Sequence, residues 1–209
     1  VNTRSLKIAI AAYDRAWQLA IPSLRLNERL KDGYARRRLK TPLPPADLWI
    51  QAASAGEAYL ACAIAEGLRA SGLRPQILVT TNTRQGMEIL EKHADKNQGK
   101  NAKPDLMCRW FPFDRPRIME KAVGQVSPKL VVLLETEIWP GLLHALKKAG
   151  CPAVIVNGRM TEKSLSRYIL VRRLLNVLGP KQVLAISGAD AARFAKLFGS
   201  RIVTRMSNI

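Results

Sequence analysis

The sequence predicts an α/β protein built on a parallel, Rossmann-like sheet with helices on both faces. Two patterns carry that expectation: seven short apolar, β-branched runs recur between Trp49 and Ile209, and helical patterns separate them. Strand, helix, strand repeated in this way gives parallel strands joined by right-handed crossovers.

The runs are LWIQAAS, QILVTTN, LMCRWFPF, LVVLLET, PAVIVNG, QVLAIS and RIVTRM. They read as buried strands, since parallel strands covered on both faces are near-continuously apolar. The intervening helices are expected to begin near Gly56, Arg84, Asp114, Trp139, Lys163 and Ala189. Several end in a glycine turn, at Ser71-Gly72, Gly150, Gly179 and Gly199, where a helix C-terminus favours the left-handed conformation. Lys96 to Pro104 (KNQGKNAKP) is polar, basic and punctuated by Gly and Pro, so a mobile surface loop is expected there. No repeat of fixed period is present, and a length of 209 residues favours one large domain, residues 27–209, behind an N-terminal helix.

That helix falls within residues 1–26. Leu6 to Leu26 reads LKIAIAAYDRAWQLAIPSLRL, and Asp14, Arg15 and Pro22 leave no uncharged run long enough to span a bilayer. Two roles stay open: a helix in the membrane interface, with Lys7, Arg15 and Arg25 reaching anionic headgroups, or one docked on its own domain. A first residue of Val rather than Met is expected from trimming or processing.

The chain carries 34 Lys and Arg against 16 Asp and Glu, a net charge of +18, while its hydrophobic fraction of 47% is that of an ordinary folded protein. Such a field draws nucleic acid, an anionic membrane surface or a phosphorylated substrate, and composition does not rank them. No RNP-type motif, zinc finger or helix-turn-helix signature supports the first. Cys62, Cys108 and Cys151 form no CxxC pair, which fits a reducing compartment, and His93 and His144 lack partners at metal-ligand spacing, so no structural metal is expected. Neither G-x-G-x-x-G after the first strand nor a P-loop occurs, and no cofactor is expected.

In a parallel sheet, ligands gather at the carboxyl ends of the strands. Those ends carry Ser54-Ala55-Gly56-Glu57, Thr80-Thr81-Asn82-Thr83, Pro112-Phe113-Asp114, Glu135-Thr136-Glu137 and Asn157-Gly158-Arg159. Ser54 and Glu57 fit a capping box, which would make Glu57 a helix stabiliser; alternatively Glu57 enters the cleft as a general base, with small residues such as Gly56 admitting a substrate hydroxyl. Glu135 and Glu137, two apart in an extended segment, would share a face toward one ligand; alternatively one caps the helix near Trp139 and the other pairs with a local arginine. Asn157 and Arg159, followed by Thr161, Ser164 and Ser166, form a donor cluster suited to sugar hydroxyls or phosphate oxygens, Arg159 being the preferred anion contact unless it is simply a surface residue. The run Arg36-Arg37-Arg38 is a candidate membrane or phosphate contact, or else a solvated linker.

Taken in order, these residues resemble a known family. Trp49-Ile50-x-Ala52-x-Ser54-x-Gly56-Glu57, Thr80-Thr81-x-Thr83-x-x-Gly86, Pro112-x-Asp114-x-Pro116, Glu135-Thr136-Glu137-x-Trp139-Pro140 and Asn157-x-Arg159 with Ser164 and Tyr168 are similar to the motifs of the 3-deoxy-D-manno-octulosonic acid (Kdo) transferases. The resemblance runs from about Leu26 to Ile209, closing with Asp190, Arg193-Phe194 and Gly199 before the last strand. It implies the N-terminal half of a GT-B glycosyltransferase, which binds lipid A precursor while a C-terminal domain, absent from this chain, binds CMP-Kdo. It further implies inverting transfer at the cytoplasmic face of the bacterial inner membrane, no transfer by this fragment alone, and no nucleic-acid partner. Glu57 would be the catalytic base; Ser54, Gly56, Thr81, Thr83, Glu135, Glu137, Asn157 and Arg159 would hold the acceptor or orient the base. Gln51 stands where the family commonly has His, Ala55 where Val is usual, Gly141 where Asn typically follows Trp-Pro, and Ser207 where Gly is usual.

Overall fold

The computed structural model describes residues 3–28, 30–97 and 106–209. Helix α1 (Thr3–Leu24) and the short α2 (Tyr34–Arg37) precede the sheet. Then come β1 (Leu48–Ala52), α3 (Ala55–Ala70), β2 (Ile77–Thr81), α4 (Arg84–Asn97), β3 (Leu106–Trp110), α5 (Pro116–Val126) and β4 (Leu130–Leu134). The chain closes with α6 (Pro140–Ala149), β5 (Ala153–Gly158), α7 (Glu162–Ile169), α8 (Arg172–Leu178), β6 (Gln182–Ala185), α9 (Gly188–Phe198) and β7 (Val203–Arg205). All seven expected strands form. Of the expected loop, Lys96 and Asn97 form the end of α4, and residues 98–105 lie outside the described residues.

Every strand pairing is parallel, in the order β3-β2-β1-β4-β5-β6-β7. Leu48 of β1 pairs with Ile77 on one side and Leu130 on the other. The chain thus builds outward from β1 to β3 and then returns to add β4 on β1's free edge, making the β1/β4 boundary the topological switch point.

Strand periodicity divides the interior into two cores. Trp49, Leu78, Val131, Leu133, Ile155 and Val183 point to the face covered by α1, α5, α6, α8 and α9, where Ile10, Met119, Leu142, Leu175 and Phe194 meet them. Leu48, Ile50, Ile77, Val79, Val132 and Leu134 point to the other face, where α3 supplies Ala58, Ala61 and Ala65 and α4 supplies Leu90. Helices cover both faces, as the sequence predicts. The expected single helix from Lys163 to Gly179 is two, α7 and α8. The Val171 N–H bonds the Tyr168 carbonyl at 3.0 Å in a tight turn, and the axis restarts at Arg172.

Helix α1 docks on the domain. Its inward stripe contains Ile10, Asp14 and Ile21, all buried, while the Tyr13 hydroxyl donates to Asp114 Oδ2 at 2.8 Å and Asp14 pairs with Arg115 at 3.0 Å. Its outward stripe leaves Ile8 and Leu19 exposed, the latter to 81%. Among the described residues no helix is long and apolar enough to cross a membrane.

The three arginines at 36–38 separate. Arg36 and Arg38 are exposed, whereas Arg37 is 1% exposed and cannot serve as the membrane or phosphate contact that the run suggests. Its guanidinium donates to the Asp32, Asn82 and Phe111 carbonyls and to Asn82 Oδ1, and lies 4.8 Å from the Trp110 ring centroid. Burial lowers its pKa to about 10, so it remains charged at neutral pH. Gly33 makes the approach possible: its φ is 70°, and a Cβ there would run into the Trp110 ring.

Candidate active site at the sheet switch point

Small residues end β1, and Ser54 caps α3 by accepting the Glu57 N–H at 3.2 Å. The Glu57 side chain folds back over the same turn. Oε2 accepts the Ala53 N–H at 2.8 Å and Oε1 accepts the Ser54 hydroxyl at 2.9 Å. The capping arrangement is therefore present, shifted by one residue from the usual box because the carboxylate meets Ala53 and not the N-cap N–H. It occupies one acceptor position on each oxygen, and a carboxylate has about four in all. Glu57 is buried, and desolvation raises its pKa; the bonds from Ala53 and Ser54 oppose that rise, and the Glu135 charge adds to it.

Across the switch point, β4 ends in a turn. Glu135 has φ 52°, in the left-handed region, so the extended geometry expected for Glu135-Thr136-Glu137 does not form and the two carboxylates do not share a face by strand alternation. The Glu135 carboxylate lies 3.7 Å from Arg159. Glu137 turns inward, accepting from Trp139 Nε1 at 2.7 Å and from Gln51 Nε2 at 3.4 Å. Behind it the network continues into the core: Trp49 Nε1 donates to Thr80 Oγ1 at 2.8 Å, and the Thr80 hydroxyl donates to Gln51 Oε1 at 2.6 Å. Glu137 is pushed up to about 7, chiefly by desolvation and then by the Glu57 charge, against the Trp139 and Gln51 bonds. The turn thus brings three carboxylates, Glu57, Glu135 and Glu137, into mutual influence.

Glu137 does not cap α6. That role falls to Asp114, 27 residues upstream, whose Oδ2 accepts the Gly141 N–H at 2.8 Å and whose Oδ1 accepts the Leu142 N–H at 2.7 Å. Gly141 is required by this contact, because a Cβ would overlap the Asp114 carbonyl. Asp114 is fully buried, and desolvation lifts it to about 7 despite its three hydrogen bonds.

The other expected residues divide between the switch point and its margins. Thr81 and Thr83 lie at the end of β2; Thr81 Oγ1 is buried without a hydrogen-bond partner, and Gly86 is needed beside it because a Cβ would overlap that hydroxyl. Asn157, next to last in β5 at φ 56°, accepts the Ile209 N–H at 3.2 Å and leaves its buried Nδ2 unpartnered. Exposed Arg159 bridges toward Glu135 and Asn208. Thr161 and Ser164 serve the N-terminus of α7, where Thr161 Oγ1 accepts the Ser164 N–H at 3.1 Å. Ser54 and Gly56 are exposed at the mouth. Among the described residues no group of His, Cys, Asp or Glu is arranged to hold a metal ion. Sequence reading did not find the Tyr13–Asp114 link or the Trp49–Thr80–Gln51 chain, whose one advance signal was that Gln51 departs from the family's His.

An α/β glycosyltransferase-type domain with its polar residues at the switch point is what the fold defines. Residues 24–209 match the N-terminal glycosyltransferase domain family described as 3-Deoxy-D-manno-octulosonic-acid transferase (kdotransferase), and the chain belongs to that family. It is similar to the 3-deoxy-D-manno-octulosonic acid transferase of Haemophilus influenzae, with 30% identity over 82% of this chain and 38% of the relative. The Bordetella pertussis protein of the same name is 29% identical over 86% of this chain and 40% of the relative. A bifunctional glycosyltransferase/methyltransferase of Fusobacterium nucleatum is 30% identical over 61% of this chain and 19% of its own length. The chain thus spans about two fifths of the length of the first two relatives.

The buried carboxylates give stability a pH dependence. Glu137 and Asp114 hold protons more tightly in the folded protein, at about 7, than their ordinary values of 4.5 and 3.8. Their favourable contribution is therefore complete below the unfolded values and is lost as pH rises through the folded ones. The urea midpoint is expected to fall between about pH 4 and about pH 7, and Glu137→Gln is expected to flatten that slope.

Proposed function

We propose that this chain is the acceptor-binding half of an inverting glycosyltransferase that moves Kdo from CMP-Kdo to a lipid A precursor, with Glu57 as general base. The observation that carries this reading is the Glu57 carboxylate, fixed by Ala53 and Ser54 at the mouth of the switch point beside Glu137. An acceptor hydroxyl placed there gives its proton to Glu57 while its oxygen bonds to the anomeric carbon of Kdo. The bond from that carbon to the CMP phosphate oxygen breaks, and CMP leaves with the electron pair. Burial raises the basicity of Glu57, and its two hydrogen bonds fix its orientation without occupying every acceptor position. Glu135, with Arg159, borders the acceptor and supplies the charge that adds to the rise in the Glu57 pKa, while Glu137, anchored by Trp139 and Gln51, is itself raised by Glu57. Thr81, Thr83, Asn157 and Gly56 complete the acceptor side.

On this reading residues 24–209 hold the acceptor, a donor-binding domain holds the nucleotide, and turnover needs both. The protein works at the cytoplasmic face of the bacterial inner membrane, where the outward stripe of α1, with Ile8 and Leu19 beside Arg15, meets the anionic surface. Titration of the purified protein with bis-phosphorylated lipid A precursor in detergent, against a duplex oligonucleotide at equal salt, tests the reading. Saturable lipid binding with weak, salt-labile duplex binding is the expected result. Salt-resistant duplex binding without lipid binding would instead assign the charge of +18 to nucleic acid.

A further inference from the structure

Arg38, separated from its buried neighbour Arg37, turns into a cavity of about 470 Å³ between the C-terminal half of α1, α2 and the start of α5. Its wall carries two further guanidinium groups, Arg25 and Arg115, with Gln18 and Tyr34; Ile21, Pro22 and Ile118 supply the apolar part. Among the described residues no acidic side chain lines it. The cations are not equivalent. Arg115 is spoken for, donating to Asp14 from Nε and Nη2 at 3.0 and 3.1 Å and to Gln18 at 3.2 Å. Arg38 is placed 5.7 Å from the Tyr34 ring centroid, and neither it nor Arg25 has a carboxylate partner among the described residues. The nearby Asp14 is already shared by Arg115 and Arg117, so two cations face the cavity without compensation.

We propose that this cavity is a binding site for the phosphate of a lipid headgroup, held by Arg25 and Arg38. Two guanidinium groups converging from different elements suit a phosphate, whose oxygens accept paired N–H bonds. The apolar wall argues for an amphiphile over a free anion. Pro22 and Ile21 continue along the chain to Leu19 and Leu26, exposed to 81% and 80%, which offer acyl chains a path away from the charge. The Tyr34 hydroxyl is engaged with the Ile21 carbonyl at 2.9 Å, so the ring acts as the support on which Arg38 lies. Glu57, Glu135 and Glu137 do not line this cavity; the site rests on the membrane contact of α1 proposed above and draws nothing from the chemistry of Glu57.

The test is calorimetric titration of the protein with monomeric short-chain phosphatidic acid, which presents the headgroup phosphate without a bilayer or a sugar acceptor. Short-chain phosphatidylcholine and inorganic phosphate are run in parallel. Arg25→Gln/Arg38→Gln is expected to weaken phosphatidic acid binding by about tenfold or more, the loss of charged hydrogen bonds from two side chains. Lys196→Gln/Arg172→Gln, which removes the same charge from exposed positions off the cavity, is expected to change it less than about twofold. Equal losses in both variants would reduce the site to a diffuse positive field, and no loss in either would remove it; both results overturn the proposal. Inorganic phosphate binding as tightly as the lipid would overturn the lipid assignment. Because no turnover is measured, each outcome leaves the function of Glu57 to its own assay.

Discussion

In the enzyme that carries the donor-binding domain as well, Glu57→Gln is expected to lower the proposed Kdo transfer by about 10²–10⁴-fold, with little change in the acceptor concentration needed for half-saturation. The substitution is chosen to separate the two things Glu57 does. As a cap it accepts the Ala53 N–H and the Ser54 hydroxyl. The Gln carbonyl can keep the first of these bonds, and the hydroxyl can rotate to accept from the new amide, so stability should fall by no more than about 1 kcal/mol. As a base it must take a proton, which the amide cannot do. Ser54→Ala provides the opposite case: it removes the N-cap of α3, costing about 1 kcal/mol of stability, but leaves the carboxylate able to accept a proton. The pH profile adds a second readout. Burial raises the Glu57 pKa, so the acid limb of kcat/KM should lie above the range of an ordinary glutamate and disappear in the Gln variant. Transfer by Glu57→Gln at more than about a tenth of the wild-type rate would mean that the carboxylate is a cap and nothing more.

The fold was legible because its signal is local. A run such as Leu130 to Leu134 is buried on both faces of the sheet, so its composition states its environment without reference to any other segment. The positions of Glu57 and Glu135 at strand ends were legible for the same reason. What the chain does between elements was not. Strand alternation through Glu135 and Glu137 fails because Glu135 is left-handed, and nothing in Glu-Thr-Glu marks that turn. Likewise the N-terminus of α6 has no cap of its own, Trp139 making no side-chain bond there; its cap comes from Asp114, brought to it by the sheet. Gln51 shows the same limit from inside a strand. Its burial was predictable, but its position between Thr80 on β2 and Glu137 after β4 follows from the switch-point topology.

Arg37→Met is expected to destabilise the protein by about 3–5 kcal/mol in urea unfolding, while Arg36→Ala and Arg38→Ala change it by less than about 0.5 kcal/mol. The three residues are identical in type and adjacent, so composition and propensity give no reason for a difference. Geometry does. Gly33 turns the chain against Trp110, α2 follows, and Arg37 alone is carried inward, across the ends of β2 and β3. Its partners there are acceptors without a formal charge: three backbone carbonyls and the Asn82 side chain. Met fills similar space but leaves the buried Phe111 carbonyl and the part-buried Asp32 and Asn82 acceptors without this donor, and a buried group left unsatisfied costs about 1–3 kcal/mol. Arg37→Lys should recover little, because one ammonium cannot reach acceptors that the planar guanidinium meets from Nε, Nη1 and Nη2 together. The backbone adds to the junction, with the Phe113 N–H donating to the Arg37 carbonyl at 3.0 Å next to Asp114. Loss of Arg37 should therefore also loosen the Asp114 cap on α6 and, through Trp139, the anchor of Glu137. Stability of Arg37→Met within about 1 kcal/mol of wild type would show that this junction does not bind the strand ends together.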